Sequence, residues 1–170
     1  AMSFFNSFDL PLTIARPFNT YGPRQSARAI IPTIITQILS GNEELKLGDI
    51  NPKRDFTYVE DTCEGIALLI GEKKTFGEII NIGSNNEYSI QDIINLIKEI
   101  MAKDIKIIRD NQRVRPQKSE VMRLKCDNTK LIELTGFSPS IDIKEGLKRT
   151  INWLSIDENL AKYKTNIYNV

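Results

Sequence analysis

Short apolar runs of strand length alternate along this 170-residue chain with longer stretches whose apolar residues recur at helical spacing. That alternation predicts an α/β fold, with strands side by side in a parallel sheet and helices covering them. The spacing predicts a helix end over 1–8, a strand over 12–16, and a helix from Pro32 to Leu39 stopped by Gly41. Leu45 to Leu47 and Arg54 to Tyr58 read as strands, followed by a helix over 64–70 ending near Gly71. Glu78 to Ile82 reads as a buried strand, and Ser89-Ile90-Gln91-Asp92 has the form of a capping box ahead of a further helix. Lys106 to Ile108 predicts a strand, Asn128 to Thr135 a helix closed by Gly136, and Ile143 to Leu154 a last amphipathic helix. Trp153, Phe4 and Phe5 are expected in the core, and residues 157–170 read as a polar tail.

Composition excludes several classes of function. A net charge of +1 argues against a nucleic-acid or membrane-surface partner. No apolar run approaches the ~20 residues that span a bilayer. With no histidine in the chain, Ser-His and Cys-His nucleophilic schemes are excluded, and Cys63 and Cys126 have neither the spacing nor the partners of a zinc site. The two cysteines read as buried or half-buried thiols in a reducing cytoplasm.

The stretch richest in chemistry lies near the start of the chain. Leu12-Thr13-Ile14-Ala15 leads into Arg16-Pro17-Phe18-Asn19-Thr20-Tyr21-Gly22-Pro23-Arg24, which breaks at Pro17 and Gly22-Pro23 into a polar loop. Polar loops at the carboxyl ends of strands are where open α/β sheets bind ligands. A second concentration of charge runs from Lys103 to Lys125, where Lys106, Arg109, Arg113, Arg115, Lys118 and Arg123 outnumber the carboxylates. Most of these suit a solvated basic loop, but Arg113 and Arg115, just before Pro116, are suited to bidentate recognition of a diphosphate.

The Arg16–Arg24 segment, with Ala29-Ile30-Ile31-Pro32, Arg54-Asp55-Phe56-Thr57-Tyr58-Val59-Glu60-Asp61, Asn81-Ile82-Gly83 and Arg115-Pro116, resembles the NAD-dependent epimerase/dehydratase family of extended short-chain dehydrogenases. Asn19 to Ala29 and Lys118-Ser119-Glu120-Val121 look most like the nucleotide-sugar 4,6-dehydratases of legionaminic acid biosynthesis. The resemblance implies the C-terminal, substrate-binding part of an extended Rossmann-type enzyme, lacking the N-terminal NAD-binding strands. None of the nine glycines falls in a dinucleotide fingerprint, and the family's Tyr-x-x-x-Lys pair is absent. In relatives, Tyr takes the C4 hydroxyl proton as hydride passes to NAD, water is lost across C5 and C6, and hydride returns to C6. No catalytic residue is therefore expected here. The chain alone is expected to lack dehydratase activity, and its first strand to form an edge prone to self-association.

By the same resemblance, Asn19 meets the sugar nucleotide, Arg54 and Arg115 clamp the diphosphate, and Ala29, Ile30, Lys46 and Leu47 line the nucleoside. Pro17 and Phe18 lie at the nicotinamide, so NAD is bound mainly by groups outside this chain. Each assignment has a plainer alternative. Arg54 suits a surface ion pair, Asn19 a loop amide, and Phe18 and the apolar side chains a packed core. Glu60 and Asp61 read as helix caps rather than an acid/base pair, and nothing adjacent lowers the pKa of Tyr21 or Tyr58. The organisation expected is 1–24 as the last part of the dinucleotide-binding sheet, 25–156 as the nucleotide-sugar-binding lobe, and 157–170 as the tail. A nucleotide-sugar 4-epimerase and a stand-alone nucleotide-sugar-binding or interaction module are the alternatives. The intact protein is expected to be a cytoplasmic homodimer.

Overall fold

The computed structural model describes residues 1–114 and 120–163. In chain order its elements begin with α1 (Met2–Phe8), β1 (Ile14–Pro17), β2 (Asn19–Tyr21), α2 (Ile30–Leu39), β3 (Glu44–Leu47), β4 (Lys53–Arg54), β5 (Phe56–Tyr58) and α3 (Val59–Leu69). They continue with β6 (Ile79–Ile82), β7 (Tyr88–Ser89), α4 (Ile90–Met101), β8 (Lys106–Arg109), β9 (Arg123–Leu124), α5 (Thr129–Thr135), α6 (Ile143–Leu154) and α7 (Asp157–Leu160). The fold is α/β, as the alternation predicts.

β1 pairs in parallel with β6, β2 with β5, and β3 with β8. β4 pairs antiparallel with β7 and parallel with β9. The Arg16–Arg24 segment differs from the expected loop. The chain leaves β6 at Phe18, whose N–H still donates to the Ile82 carbonyl at 2.9 Å, and immediately pairs with β5 as β2. Pro17 is still in register with Ile82, and the ladder with β6 closes one residue later, at Phe18. The predicted strand from Arg54 to Tyr58 is likewise divided at Asp55, whose N–H donates to the Leu124 carbonyl of β9 at 2.9 Å before the chain goes on as β5.

Asp55 is fully buried. Its Oδ1 accepts from the Thr57 hydroxyl at 3.1 Å and from the Ser84 N–H and hydroxyl at 3.0 and 2.8 Å. Its Oδ2 accepts from the Cys126 N–H at 3.1 Å. Burial of a carboxylate is tolerated only when its acceptor sites are filled in this way. Asp61, also buried, accepts from the Ser140 N–H and hydroxyl, both at 2.9 Å, and from the Ile141 N–H at 3.1 Å. It is therefore not a helix cap. α3 begins two residues earlier, at Val59, with Tyr58 as its N-cap and no side-chain cap bond. Asp61 faces inward and anchors the chain ahead of α6.

Two apolar clusters form. The larger packs Tyr21, Phe56 and Tyr58 with the isoleucines of α2 and α4 and with Leu147, Ile151 and Leu154 of α6. Ile31, Ile34 and Ile35 of α2, and Ile93, Ile94 and Ile97 of α4, are wholly buried, and each contributes roughly 1.5–3 kcal/mol. α4 starts with the predicted capping box, Ser89 accepting from the Asp92 N–H and Asp92 from the Ser89 N–H. The smaller cluster joins Ile80 and Ile82 of β6 to Leu69, Leu131 and Phe137. α6 lies against β5 because Gly146 has no side chain; a Cβ there would fall on the Tyr21 hydroxyl.

Three expectations need correction. Phe4 is exposed and α1 buries none of its residues, so the N-terminal aromatics are not core. Cys63 is exposed on α3, whereas Cys126 is buried. Within the tail, residues 157–160 form α7 and Tyr163 packs on the Trp153 ring, so an aromatic face is covered there; residues 164–170 lie outside the described residues.

Asp55→Asn places an amide donor where a donor already stands, at the Cys126 N–H or the Ser84 and Thr57 groups. It is expected to cost about 3 kcal/mol in urea unfolding, and a loss under about 1 kcal/mol would contradict the role given to this carboxylate.

Candidate functional site

A cleft of about 360 Å³ opens at the ends of β2, β3 and β4 and the start of α2. It contains five of the residues picked out by sequence: Asn19, Ala29, Ile30, Leu47 and Arg54. They come from separate stretches of chain that the parallel pairing brings to one rim. Asn19 is the first residue of β2, aligned with Phe56 of β5, and Phe56 also lines the cleft.

The other expectations fall differently. Lys46 is exposed on β3 and does not line the cleft, and its backbone is already engaged. The Gln37 side chain accepts from the Lys46 N–H at 2.9 Å and donates to the Lys46 carbonyl at 3.4 Å. Pro17 is exposed and Phe18 half-buried at the end of β1, outside the cleft lining. Arg115 lies outside the described residues. Arg113, the other arginine of that segment, does line the cleft, and its Nε donates to Asp110 at 3.0 Å.

Sequence reasoning missed Gln25, Arg28, Thr33, Gly48, Asp49 and Glu120, all of which line the cleft. Arg28 and Gln25 sit in the turn between β2 and α2, within the resemblance already noted, and their position beside Asn19 was the available signal. Gly48 had a clearer one. A Cβ there would run into the Arg113 carbonyl, so only glycine lets the two backbones meet at the rim.

Arg28, Arg54 and Arg113 line the cleft together with the carboxylates Asp49 and Glu120. Arg54 donates to Glu120 through Nη2 at 2.6 Å, with both side chains only 14% exposed. Leaving a guanidinium this sheltered without an anion would be costly, and Glu120 supplies one. The N-terminus of the ten-residue α2 points in the same direction: Ala29, Ile30 and Thr33 line the cleft. This helix end has no side-chain cap and no acidic residue in its first turn. Its open N–H groups and the positive end of its dipole suit an anion. Asp49 stands opposite, its carboxyl held below the ordinary range chiefly by the Asn51 backbone N–H.

Among the described residues every tyrosine is held above its ordinary value, chiefly by burial. Burial raises Tyr21 far above its ordinary value, and burial together with Glu60 raises Tyr58. Gln25 donates to the Thr20 carbonyl at 2.8 Å, and its own Oε1 is buried without a partner. Among the described residues no group of histidine, cysteine or acidic side chains could hold a metal ion, and no helix is long and apolar enough to cross a membrane.

The family profile described as GDP-mannose 4,6 dehydratase matches residues 1–150. UDP-N-acetyl-alpha-D-glucosaminuronate decarboxylase of Bacillus cytotoxicus is 40% identical over 155 residues, which is 88% of this chain and 48% of the relative. UDP-glucuronic acid 4-epimerase of Bacillus cereus, solved with UDP-glucuronic acid and NAD, superposes with a TM-score of 0.81 at 29% identity, over 89% of this chain and 48% of that one. dTDP-glucose 4,6-dehydratase of Bacillus anthracis, solved with NAD, gives 0.81 at 26% identity, over 94% and 49%. The chain thus spans about half the length of the proteins it matches, and its fold is that of extended, Rossmann-type short-chain dehydrogenases.

The thiols report on the fold around this site. Burial and the Asp55 carboxylate push Cys126 up to about 12, so it stays protonated in neutral buffer, and a protonated thiol is a poor nucleophile. Cys63 is expected to react with a thiol reagent at pH 8 in the native protein and Cys126 only after unfolding; fast labelling of both would contradict the buried position of Cys126.

Proposed function

The chain belongs to the NAD-dependent epimerase/dehydratase family, and on that footing we propose that its cleft holds the nucleoside diphosphate of a nucleotide sugar. The observation that carries this reading is the convergence of Asn19, Ala29, Ile30, Leu47 and Arg54 on one cleft, with Arg28, Arg113 and the open end of α2 beside them. The relatives named above differ in reaction, yet each is named for a nucleotide sugar. A shared substrate class is what a half without catalytic groups would retain.

Each part has a physical task. The Arg54 guanidinium offers forked donors to a diphosphate oxygen pair, sharing or releasing Glu120 as it does so. The first N–H groups of α2 take up further negative charge. Asn19 gives an amide to orient the group beyond the diphosphate, and Leu47, Ile30 and Phe56 form an apolar wall for the nucleoside. Fixing these remote groups sets the sugar against the reacting centre, which is how non-reacting parts of a substrate contribute to rate.

Toward NAD we assign the carboxyl end of β1. Pro17 is exposed there, and the Phe18 backbone is held by Ile82 and by the Thr20 hydroxyl at 3.2 Å. This fixed rim suits a contact with the nicotinamide end, and NAD, when bound, would accept and return hydride.

The reaction we assign to the complete enzyme is 4,6-dehydration to a 4-keto-6-deoxy sugar, from the resemblance of Asn19 to Ala29 and from the matching family profile. The second reading, 4-epimerisation, is favoured by the likeness to the UDP-glucuronic acid enzyme. A polypeptide carrying this chain with a dinucleotide-binding half separates them by yielding either a 4-keto product or an inverted C4 alcohol. We further read the enzyme as a cytoplasmic homodimer, in keeping with two unpaired cysteines.

Calorimetric titration of this chain with UDP-, dTDP- and GDP-glucose is expected to find binding to at least one. Arg54→Ala is expected to weaken it about tenfold or more, the size of a lost charge-assisted hydrogen bond. Failure of all three to bind would overturn the proposal.

A further inference from the structure

The turn between β2 and α2 carries Gln25, Arg28 and Ala29 into the cleft, and its own anchoring is slight. Gln25 N–H donates to the Gly22 carbonyl at 3.2 Å and Ala29 N–H to Ser26 at 2.9 Å. The Thr33 hydroxyl donates back to Ala27 at 3.1 Å. Among the described residues, all but one of the hydrogen bonds to residues 22–29 come from within 20–33. The exception crosses 138 residues of sequence: the Tyr163 hydroxyl donates to the Gln25 carbonyl at 2.7 Å.

Tyr163 is built into that position. After α6 the chain turns through α7, where the Asn159 amide donates to the Trp153 carbonyl at 3.0 Å. The Tyr163 N–H donates to Leu160 at 2.9 Å, and its ring meets Trp153 edge-on at 6.3 Å, against the larger apolar cluster. The ring is thus fixed independently of the bond its hydroxyl makes. Burial raises the phenol above its ordinary value, so it remains a donor at neutral pH.

We propose that Tyr163 is a positioning residue of the cleft: held by Trp153, it straps the Gln25 backbone and so fixes the turn that presents Gln25, Arg28 and Ala29 to the ligand. The proposal rests on the reading of the cleft as a nucleotide-sugar site, and it assigns Tyr163, beyond α6, to that site.

Tyr163→Phe keeps the ring on Trp153 and removes only the donor. Hydrogen exchange of the unliganded full chain is expected to quicken about fivefold over residues 22–29, the effect of one lost hydrogen bond, while α4 is unchanged. Titration with the same three sugar nucleotides is expected to weaken about fivefold, with the melting temperature lowered by no more than about 4 °C. A purely structural tyrosine would lower the melting temperature without touching affinity. Unchanged exchange at 22–29, or faster exchange with unchanged affinity, would overturn the positioning role. If the wild-type chain binds none of the three, the reading of the cleft fails, while the exchange measurement still decides the strap.

Discussion

Asp55 sits fully buried between two short strands, where its carboxylate gathers hydrogen bonds from β5, from the loop after β6 and from the segment that follows β9. Three separate parts of the chain are therefore fixed relative to one side chain. The residues on either side of it, Arg54 and Phe56, both line the cleft, so the geometry of the site follows from satisfying this one carboxylate. Asp61 repeats the device six positions later, holding Ser140 and Ile141 and with them the approach to α6. Because α6 carries Gly146 against the Tyr21 hydroxyl and Leu147 into the core, the second carboxylate closes the same unit from its other side. Removing either would leave several buried donors unpaired, and that penalty exceeds the gain from any single bond.

The change of partner at Phe18 is the second constraint. β1 pairs with β6, whose Ile80 and Ile82 belong to the smaller apolar cluster, and β2 pairs with β5 in the larger one. A strand that divides between two partners opens a crevice at the division, and in α/β sheets such crevices at carboxyl ends are where ligands bind. Charge in the cleft follows the same economy of contacts. Arg54 is compensated by Glu120 and Arg113 by Asp110, so the sheltered guanidinium groups are never without an anion. An incoming diphosphate exchanges one set of partners for another.

Much of the fold was legible in the sequence because it depends on local chemistry. The capping box at Ser89, the left-handed Gly136 closing α5 and the periodic isoleucines of α2 and α4 are all fixed by neighbours a few residues away. Five cleft residues were legible through resemblance, yet their neighbours Gln25, Arg28, Asp49 and Glu120 were not. Nothing in an isolated Glu120 announces Arg54, which lies 66 positions earlier. Asp61 reads as a cap in sequence because a carboxylate ahead of an apolar helix has the same local signature whether it turns to its own N–H groups or inward to Ser140.

Periodicity and short motifs carry the α/β alternation, the family, and the cluster of amide and arginine residues around Asn19 and Arg54, all of which are written in neighbouring residues. Only the tertiary structure decided that Asn19 to Tyr21 is a strand, that Asp55 and Asp61 are internal anchors, and that Tyr163 reaches back to Gln25. The physical reason is range. A hydrogen bond is satisfied by whichever donor the fold brings within about 3 Å, and sequence spacing carries no information about a partner 138 residues away.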